Sequence, residues 1–465
     1  MDTAQPDAPK PSHSWIWVVA GTLTVVLLLA GVFDFAYLRD EPPPDDADLR
    51  TPPPMVADEQ NGFWVLDRIK EADVNFVTFS SAHNVDEDTA VKIVDGDESN
   101  DALVAQFLAQ AEPTLAEVNA ALARPSFEFS KPVNIETFIP EISPIFNSGK
   151  ALMLAARHAK SQADYPTALR QLAQVRLLAR RLAESHNGFV VVLTSAGIEG
   201  LAVKEGVRWL NDPQTPPEAT AALAKIFADP VPWTASLQFS YKFEYQVIVE
   251  YVHELHAHPE LVAKSAQSQD SWVWHMLAHG IKVNQTLRMA ERIYRWYIEE
   301  ATRTYAEAQS AKNADLPGKV SGWDLFFPNA GGRYILATMT PSAAGIFKTV
   351  LWAETANRLA QVACALRRYY DDHHALPAKL DTLVPQYLPA LPMDPFDGKL
   401  LRYDSAKAIV YSVGTSLKNN GGSRFLTVPK DNPDYDDPSS DEKQPTLQLT
   451  FQNPTTAAKP ADAAH

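Results

Sequence analysis

The chain has 465 residues, of which 46% are apolar and 21% charged. That composition supports a substantial core, and the length allows about three domain-sized units. The net charge is −16, from 57 acidic and 41 basic residues. The basic runs go no further than Arg180-Arg181 and Arg367-Arg368, whereas a phosphate backbone calls for clustered Lys and Arg, so nucleic acid is excluded as a partner. Neither Gly-x-x-x-x-Gly-Lys-Ser/Thr nor Gly-x-Gly-x-x-Gly occurs, so nucleotide binding has no support either.

Residues 1–14 read as a short tail, followed by a membrane signal. Trp15 to Phe33 are 19 consecutive residues without a charge, long enough as a helix for a hydrocarbon core of about 30 Å. Trp15 and Trp17 at one end and Tyr37 past the other suit interfacial anchoring. A cleaved signal peptide would need a stronger basic region than Lys10 and a small-residue cleavage site. Leu29-Ala-Gly-Val32 has the shape of a lipoprotein signal, but Val32 stands where the acylated cysteine belongs. The expectation is an uncleaved single-pass transmembrane helix over residues 15–36. Lys10 before it and Arg39 and Arg50 after it leave the positive-inside count undecided.

Residues 37–57 are acidic and Pro-rich, with six prolines between Glu41 and Pro54. They read as an extended, semi-rigid linker that packs no core.

From 58 to 340 the apolar spacing is helical. Leu103, Phe107, Leu108, Leu115, Val118 and Leu122 recur at three- and four-residue steps along 102–123, one face of an amphipathic helix. Residues 151–163 and 165–185 form a helical hairpin, with Asp164 as the cap of its second member. Further helices are expected over 189–210, 216–227, 239–257 and 283–311, and a loop over 318–333. No period near 34 residues repeats, which excludes a solenoid. The region reads as an irregular helical bundle.

A long helix starts at about 342, and the period changes to strand-like after Pro377. Strands are expected at 399–403, 408–413, 424–428 and 446–451, with an acidic loop over 429–442 and a disordered tail over 453–465. Pro377, Pro385, Pro389, Pro392 and Pro395 stop the helix and set a compact turn. Asp397-Gly398 is a turn signal leading into a strand. Cys364 is the single cysteine. It excludes an intramolecular disulfide, and its apolar helix makes it a core residue.

The order of these motifs carries a resemblance. Leu366-Arg-Arg-Tyr-Tyr-Asp-Asp-His-His-Ala-Leu-Pro377 is followed by Leu380-Asp-Thr-Leu-Val-Pro385, Tyr387-Leu-Pro389 and Leu391-Pro-Met-Asp-Pro-Phe-Asp-Gly398. Leu401-Arg-Tyr403, Tyr411-Ser-Val-Gly414 and Gly421-Gly422 complete the series. Over residues 352–451 it resembles the soluble headgroup of the major pseudopilin of type II secretion. The whole layout is similar to bacterial envelope proteins that join an anchor, a helical body and this unit. The resemblance implies a small α+β unit with a short antiparallel sheet over 341–452. It also implies an inner-membrane location with the bulk of the chain extracytoplasmic, and protein partners in a secretion or pilus-like system. The family's membrane helix carries a cleavage glycine, then Phe and an early glutamate; Trp15 to Phe33 has none of these, so processing and polymerisation are not expected. Family headgroups hold Ca²⁺ after the Tyr-Ser-x-Gly strand. Here Thr415-Ser-Leu-Lys-Asn-Asn420 stands there, and Asp431, Asp434, Asp436 and Asp437 are the later candidate oxygen ligands.

Catalytic signatures are absent. His253, His256 and His258 lack the i, i+4 spacing of a zincin helix. His373 and His374 suit the end of a helix dipole. Ser195 lacks the preceding glycine of a nucleophile elbow. Glu244, Glu250 and Glu254 lie among aromatics without a defined pair. Trp272, Trp274, Trp296, Trp352, Tyr294 and Tyr297 read as core. No catalytic, cofactor or metal residue is assigned, and the leading expectation is a non-enzymatic, membrane-anchored envelope protein. A carbohydrate- or peptide-binding module and an envelope hydrolase housed in the helical region are the alternatives.

Overall fold

The computed structural model describes residues 14–33, 39–50, 55–129, 141–258, 281–311, 327–422, 424–425 and 444–451. Its helices are α1 (Ser14–Phe33), α2 (Phe63–Leu66), α3 (Glu71–Val74), α4 (Phe76–Ala82), α5 (Glu87–Asp95) and α6 (Asp101–Leu122). There follow α7 (Ile142–Ser161), α8 (Tyr165–Glu184), α9 (Phe189–Asn211), α10 (Pro217–Ala228) and α11 (Trp233–Ala257). The last are α12 (Val283–Glu300), α13 (Tyr305–Ser310), α14 (Ala330–Met339) and α15 (Pro341–His373). The strands are β1 (Arg402–Asp404), β2 (Ile409–Tyr411), β3 (Arg424–Phe425) and β4 (Pro445–Gln448). The fold is mainly helical with a small C-terminal sheet, as the periodicity predicts.

α1 contains no charged residue, and its Val and Leu side chains between Val19 and Leu29 are exposed. Its side chains are described only from Val19 to Gly31. Among the described residues, no helix is long and apolar enough to cross a membrane.

Contacts divide the chain into two compact units. One comprises Met1–Asp45, Tyr251–Glu291 and Leu316–Met339. In it, Asp40 accepts from the backbone N–H groups of Asn284 and Gln285, which caps the start of α12. Arg288 donates to the carbonyls of Pro42 and Pro43. The Asn329 side chain accepts from Lys282 N–H and the Thr286 hydroxyl. Gly332 packs so closely there that a Cβ would lie 1.9 Å from Thr286 Oγ1. Gly331 and Gly332 thus lie inside α14 rather than in the expected loop, because only glycine lets the helix approach Thr286 and Asn329.

The other unit comprises Asp46–Glu250, Arg292–Asp315 and Thr340–His465. Its core is built around α9. The α7/α8 hairpin forms as the sequence predicts, with Ala163 left-handed (φ 58°) and Asp164 accepting from Thr167 N–H. α9 packs against α7, α8 and α15, and α10 packs against α15. At mid-length Glu199, with no exposed surface, receives three bonds from Arg176 at 2.9–3.1 Å and one from Asn357 Nδ2 at 2.9 Å. One carboxylate therefore ties α8, α9 and α15 together. Two turns on, Glu205 accepts from Arg157 Nε at 2.6 Å and Trp209 Nε1 at 2.7 Å. At the C-terminus of α9, Arg367 of α15 donates to the carbonyls of Leu210, Asp212 and Thr215. The carbonyls of Leu210 and Asp212 are groups that the helix end leaves unpaired.

Part of the expected linker is held rather than free. Leu49 is 1% exposed, Asp46 accepts from the Tyr245 hydroxyl, and Asp48 pairs with Arg295 at 2.7 Å. Strung carboxylates and proline carbonyls that lack partners of their own are good acceptors for cationic helix faces.

The four short helices between residues 63 and 95 run four to nine residues, too few for a periodic stripe to register. α7 starts at Ile142 because Pro144 falls in its first turn, where no intrahelical donor is needed. The single helix expected over 283–311 is two, because Thr304 and Glu307 form a capping box that starts α13.

The sheet order is β1-β2-β4-β3. β1–β2 and β2–β4 are antiparallel, pairing Tyr403 with Val410 and Val410 with Leu447. β3 runs parallel to β4, with Phe425 opposite Thr446. The expected antiparallel sheet thus gains one parallel edge pair, which the long chain between β3 and β4 permits and a hairpin would not.

Glu199→Ala leaves Arg176 buried and unpaired, and the expected loss is about 3–5 kcal/mol in chemical denaturation. The double change Arg176→Met with Glu199→Leu should recover most of it. If Glu199→Ala costs less than about 1 kcal/mol, α9 is not held by this pair.

Candidate functional site

The C-terminal unit concentrates the residues that the sequence singles out. α15 packs against β2 and β4, and Tyr370 meets Phe451 at 5.2 Å. The loops between helix and sheet are organised by Asp394, which has no exposed surface. Its Oδ1 accepts from Phe396 N–H at 3.0 Å and the Ser412 hydroxyl at 2.8 Å. Its Oδ2 accepts from Val413 N–H at 3.0 Å and Arg402 at 2.9 Å. Burial pushes this carboxyl up, against four donors that favour the anion. Burial acts likewise on Asp397, but the Arg402 guanidinium outweighs it and holds that group below the usual carboxylate range. Gly398, left-handed at φ 69°, closes the turn by donating to Asp394 O. The series Asp394-Pro-Phe-Asp-Gly398 therefore works as a polar knot: two carboxylates and one guanidinium satisfy the loop's backbone.

This knot has a surface consequence. Met393 and Leu400 face each other across an antiparallel bridge on either side of the turn. Each is 45% exposed. A rigid loop thus presents two large apolar side chains to solvent. Its other side is fastened by α13, whose Tyr305 and Ala306 N–H groups donate to the carbonyls of Pro395 and Phe396. Sequence reasoning missed this pair; the signal was an apolar residue on each side of the Asp394-Pro-Phe-Asp-Gly398 turn.

After the Tyr411-Ser-Val-Gly414 segment, the Gln444 amide donates to the carbonyls of Val413 and Lys418. Gly422 sits at φ 80°, with Thr446 Oγ1 2.8 Å from where a Cβ would be. Asp431, Asp434, Asp436 and Asp437, the candidate calcium ligands, lie outside the described residues, as do the acidic loop and the tail over 453–465.

The other singled-out residues are scattered. Ser195 is fully buried and donates to Ala179 O at 2.6 Å, which makes it a helix-packing contact. His253, His256 and His258 are exposed on α11 and just past its end. Among the described residues, no three His, Cys, Asp or Glu side chains gather as a metal site. Tyr294 and Tyr297 are core residues, Trp296 and Trp352 are half-buried, and Trp272 and Trp274 lie outside the described residues. Burial pushes the Cys364 thiol up to about 12. His373 lies at the end of α15 and His374 caps it.

Of the three glutamates, Glu250 and Glu254 are exposed and Glu244 is half-buried. Glu244 accepts from Phe189 N–H at 2.9 Å, so it caps α9 from another helix. Burial raises its carboxyl to about 7 against that bond. On the same helix Tyr241 stacks on Tyr297 at 5.2 Å. Beside Tyr297, burial raises Glu300 to about 7, with Arg303 opposing. Tyr241 is pushed well above the usual phenol range by its burial, with the nearby Glu300 adding to it. The phenol of Tyr297 rises to about 12 for the same reasons, burial first. Glu300 is 5% exposed, and its Oε2 has no partner among the described residues. Its proton is therefore held up to about pH 7.

An unfolded glutamate titrates near 4.5, whereas folded Glu300 titrates at about 7. The native state therefore binds the extra proton between those values, and its stability falls as pH rises through them. Glu300→Gln should remove that share of the decline, gaining about 2 kcal/mol at pH 8 relative to pH 5 in urea titrations. Equal slopes for both proteins would mean that Glu300 is ionised in the fold.

No protein-family model matches the chain, and neither does any curated protein or any solved structure.

Proposed function

We propose that this chain is a non-catalytic bacterial inner-membrane protein that holds its C-terminal unit outside the cytoplasm as a docking surface for envelope proteins. The observation that carries this reading is the exposed Met393–Leu400 pair on a loop stiffened by Asp394 and Arg402. Exposed apolar side chains on a preorganised loop are the usual core of a protein interface, because little ordering entropy is lost on docking. The resemblance of residues 352–451 to a pseudopilin headgroup supports a secretion or pilus-like assembly as the setting.

The anchor in this reading is the stretch from Trp15 to Phe33, 19 residues free of charge, which as a helix at about 1.5 Å per residue would come close to the roughly 30 Å of a hydrocarbon core. Exposed Leu23 and Leu27 to Leu29 on this helix suit lipid rather than water. The single cysteine and the acidic body suit an extracytoplasmic location.

In intact cells, cross-linking followed by mass spectrometry should recover pseudopilins or secretion-platform proteins with the native chain. Met393→Asp combined with Leu400→Asp should cut that recovery at least about tenfold at unchanged abundance, as loss of an interface hot spot does. Undiminished recovery would move the docking surface elsewhere, and a cytoplasmic signal from a C-terminal topology reporter would end the reading altogether.

A further inference from the structure

A groove of about 340 Å³ opens between α8 and the end of α10. One wall is a single face of α8, where Ala173, Arg176, Leu177 and Arg180 stand at i, i+3, i+4 and i+7. The other wall is Lys225, Ile226, Asp229 and Val231. Its floor is therefore aliphatic, and three cationic side chains stand against one carboxylate in a chain whose net charge is −16.

The cations have different tasks. Arg176 is 6% exposed and is consumed by Glu199 and by the carbonyls of Ile226 and Asp229, so it shapes the groove. Lys225 is exposed and makes no ion pair among the described residues. Arg180 is 35% exposed, bonded through Nε to Glu184 at 2.7 Å and through another nitrogen to Asp229. Asp229 is 62% exposed. An ion pair that open to water contributes little, so Asp229 holds Arg180 only loosely. Its carboxylate lines the groove and sits on Arg180, as a ligand carboxylate would.

We propose that this groove binds a small carboxylate with a short apolar tail, the tail lying on Leu177 and Ile226 and the carboxylate replacing Asp229 on Arg180, within reach of Lys225. A guanidinium favours a planar carboxylate partner, and an aliphatic floor rewards the tail. The same chemistry is offered by the C-terminal residue of a peptide and by a free short-chain acid. This site is independent of the Met393–Leu400 surface.

The test is calorimetric titration of the full chain in lipid nanodiscs with N-acetyl-leucine, N-acetyl-leucinamide and butyrate. N-acetyl-leucine should bind with a Kd below about 10 mM and its neutral amide at least about tenfold more weakly. N-acetyl-leucine well ahead of butyrate indicates a peptide C-terminus; parity indicates free acids. Arg180→Ala with Lys225→Ala should lower affinity at least about tenfold. Asp229→Asn should raise it about two- to fivefold by vacating Arg180, a direction that damage to the fold would not give. Ala173→Phe, at a half-exposed position, should block the groove while circular dichroism stays native. The proposal is overturned if neither acid binds the native chain or Asp229→Asn, if acid and amide bind alike, or if Asp229→Asn weakens binding.

Discussion

The buried carboxylate of Glu199 is the constraint on which the larger unit depends. A fully desolvated charge is tolerated only when paired and hydrogen-bonded, and here the partners come from two other helices, Arg176 on α8 and Asn357 on α15. The requirement fixes the rotation of three helices at once, since a slip of any one would strand an ion in the core. Everything else about α9 is fastened in the same manner. Glu244 meets its first N–H, Glu205 holds Arg157 along its length, and Arg367 takes its last carbonyls. Apolar packing supplies most of the free energy, but it is not directional; these polar contacts choose one arrangement among many that bury similar area.

The C-terminal unit repeats the principle at smaller scale. Asp394 replaces with four donors the water that a chain of prolines and short strands cannot otherwise replace. Stiffness follows, and with it the ability to hold two apolar side chains in solvent without collapse. α13 helps from a distance in sequence, by donating backbone N–H groups to the same loop. The unit is therefore not self-sufficient in its hydrogen bonding. α15 belongs as much to the packing of α9 and α10 as to the sheet.

Groups with displaced ionisation divide into two kinds. Glu205 is buried, yet Arg157 and Arg208 hold it below the usual carboxylate range. Glu244 and Glu300 are pushed up by burial and find little opposing charge. The first kind is structural glue. The second marks where the core tolerates a neutral acid beside stacked tyrosines, and gives the fold a stability that depends on pH near neutrality. The α8–α10 groove differs from both, because apart from Arg176 its charged groups, Arg180, Lys225 and Asp229, are open to water.

Long amphipathic segments were legible because a periodic apolar stripe survives in a single sequence. The hairpin of α7 and α8, the cap at Asp164, the core position of Cys364 and the strand-like change after Pro377 all rest on local spacing. The short helices α3 to α5, the break at Thr304 and the glycine-bearing helix α14 were not read, since four to nine residues carry too little period and a glycine pair signals a loop unless its neighbours are known. The pairing of Glu199 with Arg176, the capping of α9 by Glu244, the anchoring of residues 40–50 and the groove beside Arg180 join positions separated by tens to hundreds of residues. By itself, then, the sequence determined which segments are helices and where the chain turns from helix to sheet, because those follow from spacing within a few turns. Only the tertiary structure decided which charges are buried, which carboxyls are raised towards neutral pH and which apolar side chains remain exposed, because each depends on the desolvation imposed by partners distant along the chain.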